Sequence, residues 1–413
     1  MSFARFSTSY MRVVLFVIAI LCGSVAFAGE APTRLDNLVK EALANNPDIR
    51  ASLQRWESSK AVIPQVKTLP DPKVTVGHRN IGPQHQVMYG LSQEIPFPGK
   101  LGLRGEIAAR QSDRIEQDYF ATRLAVIARL KEVFYDLRFV HDSIRILQQT
   151  KLLLQEFERT ANARYSVGQA AQQDVLRAQT EISRVLARLA TLEQRRQSLH
   201  ADINRILNRL PSDPISAPEE LQFTPMRSSL IELNALLDQA SPLLQGQQKT
   251  VEQSQETIAL AKREYYPDFE VRALGIRDTV MNDNGYEVTL NVKVPLYYAT
   301  KQREGVNEAV ASREAVFQDL RALRQELLAR IKDNVAQVER AEELIKLLRD
   351  AIIPQSNLTL AAAQASYAVG KVDFLTLLNA LLTLQENELD FHSEMAEHKK
   401  ALARLEGILG VAP

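Results

Sequence analysis

The sequence predicts a mainly α fold with a small β part: long antiparallel coiled-coil helical hairpins plus four β-strands of membrane-spanning length. Three observations carry this expectation. Apolar residues recur at alternating gaps of three and four over long stretches, the signature of coiled-coil seams. Four shorter stretches alternate apolar with polar residues, the period of strands with one greasy and one wet face. Both patterns, and the prolines that bound them, occur twice at a separation of about 200 residues, which reads as an internal duplication.

The chain of 413 residues opens with Arg5 and Arg12, the apolar run Val13 to Leu21, and Ala26-Phe27-Ala28. This is the build of a secretory signal peptide over residues 1–28. Its apolar run is shorter than the roughly 20 residues that cross a bilayer, which argues against an anchoring helix. Cys22, the one cysteine, lies in this segment, and Leu21 before it is not the small residue a lipoprotein signal needs. The exported protein is therefore expected to be disulfide-free and not lipidated. No later stretch is apolar for about 18 residues, so entry into a membrane would have to use strands. Basic and acidic residues balance at 50 each, which gives no support for a nucleic-acid partner.

A first structural repeat is expected over 29–225, as a helix, a β-hairpin and a long helical hairpin. The β-hairpin, about 72–95, pairs "KVTVGHRN" from Lys73, through "IGPQH", with a stretch in which Val87, Tyr89, Leu91 and Ile95 alternate with Gly90, Ser92 and Glu94. The next helix carries the seam Val126, Leu130, Val133, Leu137, Val140, Ile144, Leu147, Lys151, Leu154 and has only Gly105 as a breaker before Tyr165. It should run about 60 residues, or roughly 90 Å. After a tip at about 164–170 the seam resumes from Val175 through Ala178, Ile182, Val185, Leu189, Leu192, Arg196, Leu199, Ile203 and Ile206 to Leu210.

A second repeat over 226–413 has the same order. Its β-hairpin, about 268–295, joins "DFEVRALGIRD", whose alternation slips near Leu274, through "TVMNDNG" to Tyr286, Val288, Leu290, Val292 and Val294. Ile331, Asn334, Val338, Ala341, Ile345, Leu348 and Ile352 form a seam that Pro354 should kink or break. Phe374, Leu377, Leu381, Leu384, Glu388, Phe391, Met395, His398, Leu402, Leu405 and Leu409 form its partner after a tip at about 366–372. Each tip contains Tyr-x-Val-Gly, "RYSVG" and "SYAVG", whose glycine should end a helix in the left-handed conformation. Four strands cannot close into a barrel, so they must pool across subunits or pack on a soluble core.

"SQEIPFPGKLGLRGE" from Ser92 to Glu106, together with the paired tips, resembles the outer-membrane factors of the TolC family, and the likeness runs from about Leu35 to Leu409. The resemblance implies a homotrimer with a twelve-stranded barrel in outer-membrane lipid and a helical tunnel through the periplasm. It further implies a passive exit duct, without catalytic site or cofactor, met by a periplasmic adaptor protein and fed by an inner-membrane, proton-driven transporter. On this likeness Pro96, Phe97, Pro98, Gly99 and Lys100, with Pro295 in the second repeat, turn the chain from barrel to tunnel. Phe97 with Tyr265, Tyr266, Tyr297 and Tyr298 would lie at an interfacial aromatic girdle.

Adaptor docking and closure would involve Tyr165, Val167, Gly168 and Asp174 at one tip and Tyr367, Val369, Gly370 and Asp373 at the other. Several family members narrow the tip with acids where this chain has Thr376 and Asn379, so an acidic ring is not expected at those positions. Ser166 and Val372 likewise stand where others carry charged latch partners. Asp174 and Asp373 remain carboxylates near the mouth, although acids are also ordinary in a helix's first turn.

The "PFPGK" junction looks most like the branch serving heavy-metal and cation pumps, which favours metal cations over drugs as cargo. None of the six histidines has the spacing of a metal site on a helix face, and phosphate loops, Cys-x-x-Cys and nucleophile elbows do not occur, so no enzyme is expected. A periplasmic adaptor would have one hairpin tip and β-rich flanks, and a coiled-coil scaffold would leave the amphipathic strands unexplained.

Overall fold

Seams with gaps of three and four bury one stripe of each long helix, and the helices form where those stripes run. In the computed structural model, residues 33–82 and 84–411 are described. The expected signal segment and Cys22 lie outside them. In chain order the elements are α1 (Leu35–Asn45), α2 (Pro47–Lys67), β1 (Lys73–Ile81), β2 (Gln84–Ile95), α3 (Lys100–Ser166), α4 (Gln172–Leu207), α5 (Leu230–Ala240), α6 (Pro242–Arg263), β3 (Asp268–Asp278), β4 (Asp283–Lys293), α7 (Gln302–Leu347), α8 (Ile353–Ala368) and α9 (Phe374–Leu409). None of the described helices is long and apolar enough to cross a membrane.

At 67 residues α3 is about 100 Å long. Its seam residues Leu130, Val133, Leu137, Val140, Leu147 and Leu154 are buried. The partner stripe of α4 follows through Ala178, Val185, Leu199, Ile203 and Ile206. The seam stops before Leu210, which is 69% exposed, because Asn208 takes a left-handed conformation (φ 58°) and ends α4. In the second half every expected seam position from Ile331 to Leu348 is buried. Around Pro354 the regular helix is interrupted without the chain turning away: the backbone widens into a π-type stretch at Leu348–Ile352, which absorbs the donor the proline lacks, and α8 resumes with Pro354 in its first turn.

The four strands form one antiparallel sheet in the order β1-β2-β3-β4. Register places Val74, Val76, Val87, Tyr89, Leu91, Val271, Val288, Leu290 and Val292 on one face, while Thr75, Ser92, Glu94, Glu270, Arg272, Glu287, Thr289 and Asn291 share the other. Strand β3 is continuous through Leu274, where the sequence slips phase. Leu274 sits on the polar face and is nevertheless buried, since it lies against Gly90, where there is no room for a Cβ. On the apolar face Tyr89 covers Gly275 in the same way.

Each strand is continued by a helix, and α2, α3, α6 and α7 pack side by side in the lateral order of β1, β2, β3 and β4. The row of strands and the row of helices are thus both open, with β1 and α2 on one edge and β4 and α7 on the other.

Candidate functional site: the hairpin tips and the strand–helix junction

Tyr-x-Val-Gly has a local physical cause. Tyr165 occupies the next-to-last helical position, Val167 the cap, and Gly168 the residue beyond it at φ 74°. The Gly168 N–H donates to the Tyr165 carbonyl (3.0 Å) and the Gln169 N–H to the Arg164 carbonyl (2.8 Å), the paired bonds of a Schellman turn. Gly370 at φ 75° repeats both bonds, to Tyr367 (3.0 Å) and, through Lys371, to Ser366 (2.9 Å). An L side chain is disfavoured at either glycine.

The two tyrosines are not equivalent. Tyr367 is buried, packs edge-on to Phe374 with ring centroids 5.8 Å apart, and joins the apolar cluster of Leu360, Ala363 and Leu377. Tyr165 is 44% exposed, and Val167 and Val369 are also exposed. Between the tips lies a residue the sequence reading passed over. The Arg164 guanidinium stacks 4.8 Å from the Tyr367 ring centroid and donates to the Tyr367 carbonyl. One of its nitrogens would lie 3.1 Å from a Cβ at Gly370. The signal was present: "RYSVG" and "SYAVG" differ at their first position, and only the arginine can reach across.

Asp373 caps α9, its Oδ1 accepting from the Thr376 N–H (2.9 Å) and hydroxyl (2.5 Å). Those bonds hold its carboxyl below the ordinary range and make Thr376 the cap's partner. Asn379 is exposed. Asp174 lies in the first turn of α4, half-buried. Burial, and next the Asp174 charge, push the Tyr367 hydroxyl up, so it stays protonated at neutral pH.

At the other end of the helices Pro96 is buried and ends β2, Phe97 stacks on Tyr266 (centroids 4.5 Å), and Gly99 turns the chain at φ 93°. Lys100 is 1% exposed and anchors the junction. Its Nζ donates to Asp268 Oδ1 (2.9 Å), Glu264 Oε2 (3.1 Å) and the Tyr266 carbonyl (3.3 Å). Asp268 Oδ1 also accepts from the Phe97 N–H (2.9 Å), so one carboxylate ties the start of β3 to the turn after β2. Pro98 is exposed. Pro295, with Tyr297 and Lys293, lines a cleft of about 350 Å³ beside Lys100. Tyr265, Tyr266, Tyr297 and Tyr298 are all exposed.

Among the described residues no group of three or more His, Cys, Asp or Glu is arranged to hold a metal ion. His392 packs edge-on to Phe391, and its Nδ1 meets Asp142 Oδ2 at 3.2 Å. Asp142 also accepts from Nε and Nη2 of Arg138 (2.8 and 2.7 Å). Burial works against its ionisation, but the bonds from His392 and Arg138 win and bring its pKa down to about 2.

The sequence of this chain matches the outer membrane efflux protein family over residues 38–209 and 234–411. The chain belongs to that family. It is 19% identical over 382 residues to the cobalt-zinc-cadmium resistance protein CzcC of Cupriavidus metallidurans, covering 92% of this chain and 90% of that one. Over 419 residues it is 21% identical to the outer membrane protein TolC of Vibrio cholerae, covering 96% and 94%. The solved structure of CusC, a protein that forms a transmembrane channel, superposes with a TM-score of 0.80 at 13% identity, covering 92% of each chain. This outer-membrane efflux protein shares the fold of such channels, mostly helical with a small antiparallel sheet.

Proposed function

We propose that three copies of this chain pool their strands into one outer-membrane barrel and their helices into a periplasmic tunnel, the exit duct of a tripartite efflux pump. The observation that carries the reading is the open four-stranded sheet. It presents a largely apolar face, and among the described residues neither edge strand has an outer partner. An open edge is intolerable in lipid, and joining β4 of one copy to β1 of the next removes all edges at once. The matching order of the helix row supports closure at the same seam, α7 against α2.

Two family-matching segments support the division into repeats over 29–225 and 226–413. The tips at Gly168 and Gly370 would face a periplasmic adaptor, with exposed Val167 and Val369 as apolar contacts, and an inner-membrane transporter would supply the energy. Arg164 is the residue assigned to hold the two tips together in the resting duct. Metal cations are the favoured cargo, a reading supported by the likeness to CzcC.

Fractionation with cross-linking tests the duct. The protein should require detergent for extraction and cross-link to a trimer; recovery as a soluble species without detergent sinks the proposal. Deleting the gene should sensitise cells to cobalt, zinc or cadmium, and sensitisation to drugs alone would overturn the cargo assignment.

A further inference from the structure

The apolar face of the sheet ends in a defined row. Register aligns Val76, Tyr89, Gly275 and Tyr286 across the four strands, with Tyr89 lying over Gly275 and Tyr286 87% exposed. One step farther from the helices the aligned residues are His78, Val87, Arg277 and Asn284. Beyond these, Asn80 pairs with His85, and the His78 and His85 rings stack with centroids 6.0 Å apart. A tyrosine row followed by a cationic and amide row is how a strand surface changes where hydrocarbon gives way to headgroups.

Charge on this sheet is segregated by face. Among the described residues the apolar face holds no carboxylate, whereas Glu94, Glu270, Asp278, Asp283 and Glu287 all lie on the opposite one. Arg277 is exposed, and the nearest acid in the chain, Asp278, points the other way with its Oδ1 accepting from the Val280 and Met281 N–H groups (2.9 and 3.0 Å). His78 and Arg277 stand two strand spacings apart, about 10 Å, a span that an arginine and an imidazole can bridge around one phosphate. A cation bound by the histidine pair would have the uncompensated Arg277 as its neighbour, which disfavours a metal at this place.

From this arrangement we infer that His78, His85 and Arg277, with Asn284 beside them, form a binding site for the anionic phosphate headgroup of an outer-leaflet lipid. The inference rests on the barrel reading, which turns this face toward lipid. Arg277 supplies the charge and a forked donor, the imidazoles add N–H donors, and the tyrosine row seats the acyl chains just below. Threefold repetition would ring the barrel with such sites and fix its height in the membrane.

The test uses the detergent-purified trimer titrated with dilauroyl phosphatidic acid, with bound lipid counted by native mass spectrometry and zwitterionic dilauroyl phosphatidylcholine as the comparison. Wild type should hold phosphatidic acid at least about tenfold more tightly than the His78→Gln/His85→Gln/Arg277→Gln variant, since charge-assisted bonds are lost. Arg277→Gln alone should show most of the loss, which keeps the test decisive if the triple variant does not assemble. Arg79→Gln, one residue from His78 but on the inner face, should bind as wild type does. Equal binding by wild type and the Arg277→Gln variant overturns the site, as does an equal loss in Arg79→Gln. Displacement of the lipid by inorganic phosphate at equal concentration also overturns it, by revealing a free-anion site. A trimer that needs detergent yet ignores phosphatidic acid refutes this inference and leaves the duct standing, whereas a detergent-free soluble protein refutes the duct.

Discussion

Arg164 is where the two tips of the chain touch, and its contacts are of two kinds. Stacking on Tyr367 needs the planar guanidinium, while the bond to the Tyr367 carbonyl needs only a donor. Arg164→Ala should therefore raise the single-channel conductance of the trimer in planar bilayers, and Arg164→Lys should restore part of the resting value; an Ala variant that conducts like wild type would remove Arg164 from closure. The glycines make a separate prediction. Gly168→Val and Gly370→Val each force a β-branched residue to a φ near 75°, costing about 2 kcal/mol, and should give folded trimers that no longer confer efflux. Gly370→Val should be the more destabilised in thermal unfolding, because its new Cβ also displaces Arg164, whereas space around Gly168 is open. Equal stability would mean the Arg164 contact is not felt. The left-handed glycines were legible from Tyr-x-Val-Gly alone, because a Schellman turn is set by bonds within six residues. Arg164 was not, because its partner lies on the other hairpin.

At the scale of elements, heptad gaps located each long seam, and the polar lapses in them have different outcomes. Glu388 is half-buried, and burial pushes its carboxyl up, while His398 is fully buried against Glu342 (3.1 Å). Asp142 on α3, between the seam positions Val140 and Ile144, makes a buried polar contact that the heptad pattern does not mark. It joins Arg138 on its own helix to His392 on α9, and its folded pKa of about 2 lies below the unfolded value of 3.8. The sign follows: the carboxylate stabilises the fold above about pH 4, by roughly 2 kcal/mol, and that contribution is lost as pH falls through about 2. Urea unfolding across this range should show the loss in wild type and a flattened acid limb in Asp142→Asn, which should also be weaker by about 2 kcal/mol at neutral pH. An unchanged acid limb would assign the acid sensitivity elsewhere. The local irregularities at Pro354 and Leu274 were legible, but how the fold accommodates them was not, for one reason. Each breaks a local pattern, and the remedy, a π-type stretch or a facing glycine, is either a backbone adjustment or a residue on another strand.

For the whole molecule the deciding feature is the agreement of two open rows, strands above and helices below, that end at the same edges. If the apolar face meets lipid, Val288→Arg should cost about 2–4 kcal/mol in membrane insertion, while Thr289→Arg, its neighbour on the polar face, should insert normally. Urea titration of vesicle-reconstituted protein distinguishes them, and equal tolerance of both substitutions would mean that face is not in hydrocarbon. By itself the sequence determined the helices, the strands and the turn glycines, because each depends on periodicity or on bonds between residues close in the chain, while its junction and tip motifs carried the resemblance to an efflux family. Only the tertiary structure decided that Lys100 and Asp268 clamp the junction, that Arg164 joins the tips, and that His78 and Arg277 fall in one row above the tyrosines. Those pairings span up to about 200 residues, and such contacts are fixed by strand register and helix packing, which a local pattern does not encode.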